Sequence, residues 1–176
     1  MIFTETDLEG AYIIDIKEIA DDRGFFARGW CEDEFAQHGL NPRVAQLNLG
    51  FNLKRGTLRG MHFQKAPKAE VKVVRCTQGA VFDVMVDLRP DSPTHGRWVG
   101  VELTPENHRM LYVPEGFAHG YQTLADNSEI CYLTSQFYAP ELAAGVRYDD
   151  PAFGIEWPLP VEGISDQDRD WALYSL

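Results

Sequence analysis

The chain has 176 residues, and its 16 basic and 27 acidic side chains leave a formal net charge of −11. That sign argues against a nucleic-acid binder, which needs a basic face toward phosphate, and no dense Lys/Arg stripe appears. A hydrophobic fraction of 44% with 12% aromatics excludes disorder of the whole chain and predicts one globular domain over residues 1–176, with a core large enough to need neither disulfides nor a structural metal.

From the N-terminus, Met1 to Gly10 show no basic leader and no long apolar run, and nowhere are there the roughly 20 apolar residues that span a bilayer. The expectation is a soluble, cytoplasmic protein without a membrane partner. β-type runs then follow at residues 11–16, 71–76, 80–88, 98–103, 110–113 and 130–138. Breaks at Gln78-Gly79, 89–93, 104–107 and Pro114-Glu115-Gly116 each reverse the chain. Strand follows strand without intervening helices, which predicts a sandwich or barrel. A helix is predicted over residues 32–38, acidic at its start and stopped by Gly39 and Pro42, and Ser165 is set to cap a short second one. Cys31, Cys76 and Cys131 are odd in number and far apart, which fits reduced thiols rather than a disulfide framework. No exposed apolar stripe is legible at this level.

Two segments set histidine beside glycine and basic residues: Gly56 to Gln64, and Val113 to Gly120. The second carries the Pro114-x-Gly116-x-x-His119 spacing met in cupin barrels. Strand alternation places His62 with Gln64 and Arg59 with Met61, and polar residues on an inward face imply a wet pocket. His62, Glu70 and His119 form a partial metal-ligand set, broken because Gln64 stands where a second histidine would complete it, and a neutral amide is a poor ligand for a transition ion. His38, His95 and His108 read as surface residues. Arg59 and Lys72 lie in or beside apolar strands, where a cation needs a compensating anion, and a phosphate-bearing small molecule fits. Tyr132 and Tyr138, six apart in one predicted strand, fall on one face, and a phenol in a pocket can donate a proton.

Together these segments resemble the dTDP-4-dehydrorhamnose 3,5-epimerase family. The likeness spans nearly the whole chain and is carried by Asp22 to Phe26, Leu58 to Gln64, Lys72 to Cys76, Phe82 to Arg89, Ser92-Pro93-Thr94, Pro114 to Gly120, Asp150-Pro151 and Gly154 to Pro158. It implies an all-β, cupin-type jelly roll with short peripheral helices, working as a homodimer without metal or organic cofactor. The implied substrate is a nucleoside-diphosphate 4-keto-6-deoxyhexose, with dTDP as the nucleotide. His62 falls at the general base, Asp168 at its carboxylate partner, Tyr132 at the proton donor, and Lys72 beside the keto oxygen. Arg23, Phe26, Gln46, Asn48, Arg59, His119 and Tyr138 fall at substrate-binding positions. Arg28, Leu47 and Leu133 depart from the family's residues, the first two in the nucleotide-facing region, and Leu133 is able to alter sugar seating. A metal-dependent cupin such as a dioxygenase, and a non-catalytic sugar-nucleotide-binding barrel, are the competing readings.

Overall fold

The structure is a computed structural model and describes residues 1–175. In chain order its elements are β1 (Ile2–Glu5), β2 (Tyr12–Asp15), β3 (Ile19–Asp21), β4 (Gly24–Phe26), α1 (Glu32–Gln37), β5 (Gln46–Asn52), β6 (Leu58–Gln64), β7 (Lys72–Gln78), β8 (Val81–Asp87), β9 (Trp98–Leu103), β10 (Met110–Val113), β11 (Phe117–Thr123), β12 (Ser128–Thr134), β13 (Ala143–Gly145) and α2 (Asp166–Arg169). A six-stranded sheet runs β1-β2-β10-β7-β12-β5, a five-stranded sheet runs β13-β6-β11-β8-β9, and β3 and β4 form a separate hairpin. Neighbouring strands are antiparallel throughout. This is the predicted two-sheet jelly roll, its helices confined to the periphery.

The inner faces explain why a sandwich with a pocket forms. Val74, Cys76, Leu111, Val113 and Ile130 of the first sheet meet Val81, Met85, Val101, Leu103, Phe117 and Tyr121 of the second. Apolar surface of this kind contributes roughly 25 cal/mol per Å² removed from water. Two residues along from these apolar side chains, the same inward periodicity delivers Lys72 before Val74, Tyr132 after Ile130 and His119 after Phe117. One end of the sandwich is therefore dry and the other polar. Outside, Phe35 of α1 and Leu40 cover the first sheet with Ile14, Val73 and Tyr112, while Val146 and Phe153 cover the second.

Five predicted strands match β2, β7, β8, β9 and β10, and the motif segments supply β6 and β11. Ser165 caps α2, accepting from Asp168 N at 3.1 Å. The run predicted over residues 130–138 stops at Thr134, where Thr134 Oγ1 bonds to Gln136 O at 3.0 Å and turns the chain. Arg59 and Met61 do not share a face, because the β6–β11 register shifts between His119 and Tyr121; Met61 is buried and Arg59 exposed. An apolar stripe does exist: Leu47, Leu49, Phe51 and Leu53 on and just beyond edge strand β5 are 59, 63, 45 and 71% exposed. His38 is exposed, as expected, though it stacks on Phe3 with ring centroids 4.0 Å apart. His95 is half-buried against the Tyr174 hydroxyl at 3.1 Å, and His108 is half-buried with its ring edge-on to Phe25.

The Phe82 to Arg89 and Ser92-Pro93-Thr94 segments hold the fold together through Asp87. Its carboxylate accepts from Arg89 Nε at 2.9 Å, Ser92 Oγ at 2.5 Å and Thr94 Oγ1 at 2.7 Å. Burial opposes ionisation, yet these bonds outweigh it and hold the pKa at about 2. Since the folded value lies below the unfolded one, the stabilisation is present above the ordinary aspartate range and is lost as pH falls through about 2. Asp87→Asn is expected to cost roughly 2–3 kcal/mol at neutral pH. Urea denaturation checks this, and the difference from the parent shrinks toward pH 2.

Candidate active site

Gln46, Asn48, His62, Phe63, Gln64, Glu70, Lys72, Tyr132, Thr134, Tyr138, Ala143, Ala144, Gln167 and Trp171 line a cavity of about 440 Å³ at the polar end of the sandwich. It opens beside a second hollow of about 490 Å³ that shares His62 and Gln167 and is lined by Arg59, Ser165 and Asp168.

His62 and Asp168 meet across 106 residues of sequence, with Nε2 at 2.5 Å from Oδ1. The second oxygen of Asp168 accepts from Gly60 N at 3.2 Å. Gly60 has φ +134°, and a Cβ there would stand 2.5 Å from Gly120 Cα, so only glycine lets β6 and β11 approach this closely. Burial opposes ionisation of Asp168, but the bonds from His62 and Gly60 hold its pKa below the usual carboxylate range. The carboxylate therefore stays ionised at neutral pH. It demands a proton on Nε2 and leaves Nδ1 as the basic nitrogen.

Lys72 is buried on the facing sheet, with Nζ 3.4 Å from His62 O and 3.4 Å from Glu70 Oε1. Burial pulls its pKa down, and the Glu70 and Asp83 carboxylates work against that pull. Tyr132, paired with Asn48 on one side and Val74 on the other, is half-buried. Burial first, then Glu70, pushes its phenol above 10.0, so it enters the site as an acid. An imidazole bonded to a carboxylate, a lysine beside Glu70 and a protonated phenol thus line one cavity.

Gln46 and Asn48 also face inward, and Gln46 Oε1 accepts from Tyr138 N at 2.8 Å. Gln64 is a structural pin: its amide bonds Lys68 O at 2.8 Å and accepts from Ala139 N at 2.6 Å. These two glutamines hold Tyr138 over the cavity from a turn, so its place beside Tyr132 does not come from strand alternation. His119 is buried behind His62 in β6–β11 register, its Nε2 2.9 Å from Asp83 Oδ1. Arg59 reaches the adjoining hollow, where Nε donates to Asn52 Oδ1 at 2.8 Å.

Arg23 and Phe26 do not line their own chain's cavity. Both are exposed on the β3–β4 hairpin, and Arg23 is paired with Asp21. Arg28 also stays outside, 3.4 Å from Glu34. Leu47 points to the outer face of β5, and Leu133 packs under the cover of α1. His62, Glu70 and His119 are committed to Asp168, Lys72 and Asp83. Among the described residues, no three His, Cys, Asp or Glu side chains converge as a ligand set. Gln167 and Trp171 were not expected in the cavity; no periodicity or spacing in the tail signals them.

The family model for dTDP-4-dehydrorhamnose 3,5-epimerase matches residues 5–175. The chain belongs to that family. A dTDP-4-dehydrorhamnose 3,5-epimerase of Methanothermobacter thermautotrophicus is 44% identical over 172 residues, covering 96% of this chain and 92% of its own. The crystal structure of the epimerase from Elizabethkingia anophelis superposes with a TM-score of 0.96 at 37% identity, covering 99% of this chain and 96% of that one. That of Bacillus anthracis, with TDP and PPi bound, gives 0.94 at 38%, covering 98% and 99%. The dTDP-4-dehydrorhamnose 3,5-epimerase family thus accounts for the fold and for the motifs that meet at the cavity.

Proposed function

We propose that this chain epimerises a dTDP-linked 4-keto-6-deoxyhexose at C3 and C5, with His62, Asp168, Lys72 and Tyr132 as its chemical groups. The observation that carries this reading is the shared cavity of His62 and Tyr132, on facing sheets, with Lys72 on the strand next to that of Tyr132 and its Nζ 3.4 Å from His62 O. His62 Nδ1 takes the proton from the carbon next to the ketone, and the C–H electron pair moves into the enolate. Lys72 stabilises the enolate oxygen in a site where burial strengthens the interaction. Tyr132 returns a proton from the opposite face, and both side chains then re-equilibrate with solvent. One proton leaves and one arrives, so the carbon skeleton undergoes no net oxidation and side chains suffice.

Gln46, Asn48, Arg59 and Tyr138 act as substrate-binding residues in this reading, with the Arg59 guanidinium suited to diphosphate oxygens, while His119, bonded to Asp83 and outside both hollows, acts only from behind His62. Arg23 and Phe26 belong to it through a homodimer in which the exposed β3–β4 hairpin of one protomer reaches the other's cavity. The β5 stripe supports such an assembly, since each fully buried leucine or phenylalanine contributes roughly 1.5–3 kcal/mol. No helix among the described residues is long and apolar enough to cross a membrane. The free thiols Cys31, Cys76 and Cys131 support a cytoplasmic location.

Proton NMR of dTDP-4-keto-6-deoxyglucose in deuterated water with added protein tests the function. Loss of the C3 and C5 proton signals with inversion is expected, and an unchanged spectrum contradicts it. Metal removal separates the dioxygenase reading: after chelation and dialysis, turnover is expected to stay within about twofold, and its loss favours a metal enzyme.

A further inference from the structure

We propose that Trp171 is a positioning residue for the His62–Asp168 pair, with its indole seated on Gly145 of β13. The inference rests on the assignment of His62 as base. Asp168 is carried by α2, a helix of four residues. So short a helix has little stability of its own, and something outside it must fix the carboxylate. The Ser165 cap orients the first turn, and the next residue that docks on the sandwich is Trp171. A Cβ on Gly145 would stand 2.3 Å from Trp171 Cε2, 2.4 Å from Nε1 and 2.7 Å from Cδ2. The ring therefore lies directly against the glycine backbone, with no room for any side chain between them.

Gly145 is the register partner of His62 across β13 and β6. One rung of the sheet thus carries the base and receives the ring that anchors the segment bearing its carboxylate. The indole Nε1 is buried and has no acceptor among the described residues. The seat is accordingly specified by shape, because a ring held by polar bonding would satisfy its one donor. Beyond it, Tyr174 N bonds Asp150 Oδ2 at 2.6 Å and its hydroxyl meets His95. The tail therefore has a second hold, which makes the contribution of Trp171 separable from simple detachment of the C-terminus.

The test compares Trp171→Ala, Trp171→Phe and Gly145→Ala in the full-length protein, the last displacing the indole from the opposite side. The probes are solvent-deuterium uptake by dTDP-4-keto-6-deoxyglucose and the imidazole N–H proton resonances, with the His62 signal assigned by its loss in His62→Ala. Trp171→Ala and Gly145→Ala are expected to lower kcat by roughly 10–100-fold with KM changed less than about threefold, since displacement of a catalytic group by about 1 Å has effects of this size. The His62 Nε2–H resonance should be lost while that of His119, held by Asp83, persists, and Trp171→Phe should restore both readouts to within about threefold of the parent. Parent-like kcat and an intact His62 resonance in Gly145→Ala overturn the proposal, even where Trp171→Ala fails to fold. So does a change confined to KM, which would make the ring only a cavity wall. If the parent protein shows no deuterium uptake, the epimerase reading fails, and the resonance comparison still decides whether Trp171 positions the pair.

Discussion

His62→Ala is expected to lower deuterium uptake at the carbons flanking the ketone by on the order of 10⁴-fold, the upper end of what a positioned base supplies. The size follows from the arrangement around the ring. Asp168 stays ionised, holds one tautomer and presents Nδ1, so the imidazole has its proton-accepting nitrogen ready before substrate arrives. The His62 side chain is 44% exposed whereas that of Asp168 is 6% exposed. Truncation at His62 therefore opens space toward solvent rather than emptying the core, and Asp168 keeps its bond from Gly60. Thermal denaturation within a few degrees of the parent would assign the loss to chemistry. Uptake within tenfold of the parent would remove His62 from the role of base.

Lys72→Gln is expected to lower kcat by about 10²–10³-fold, the effect of removing one preorganised donor to a developing oxyanion. Here KM should change much less, because the ammonium matters most when negative charge reaches the ketone oxygen. The substitution also removes the cation facing Glu70, whose side chain is 12% exposed. A modest loss of stability is therefore expected alongside the kinetic effect, since an unpaired carboxylate in so sheltered a place is unfavourable. Lys72→Arg separates the two: it keeps the charge against Glu70 while misplacing the donor, so stability returns and kcat does not. Full activity in Lys72→Arg would show that charge alone, without the geometry of a single ammonium, suffices.

Much of this site was legible because strand periodicity and motif chemistry agree. Lys72-Val73-Val74 sets a cation in an apolar, buried strand, and the capping sequence at Ser165 announced the turn that carries Asp168. Strand β5 escaped notice although Gln46-Leu47-Asn48-Leu49 alternates cleanly, because its sense is inverted: the polar residues face the cavity and the leucines face outward. The same inversion hid the apolar stripe. Leu133 goes to the outer face for a related reason, since its neighbour Tyr132 takes the inward position. Tyr138 reached the cavity through a turn pinned by Gln46 and Gln64, a tertiary arrangement that leaves no local pattern. The pairing of His119 with Asp83, and the seat of Trp171 on Gly145, join residues 36 and 26 positions apart in the chain; contacts of that kind come from strand order.

The central claim is that base and acid work from opposite faces of one sugar ring, and Tyr132→Phe tests it most directly. In deuterated water with dTDP-4-keto-6-deoxyglucose, this variant is expected to keep exchanging deuterium into the position from which His62 withdraws the proton. Inversion at that carbon should fall by on the order of 10²-fold or more, because the donor on the far face is gone. Parent-like inversion in Tyr132→Phe would contradict the account, and so would a loss of exchange as complete as that in His62→Ala.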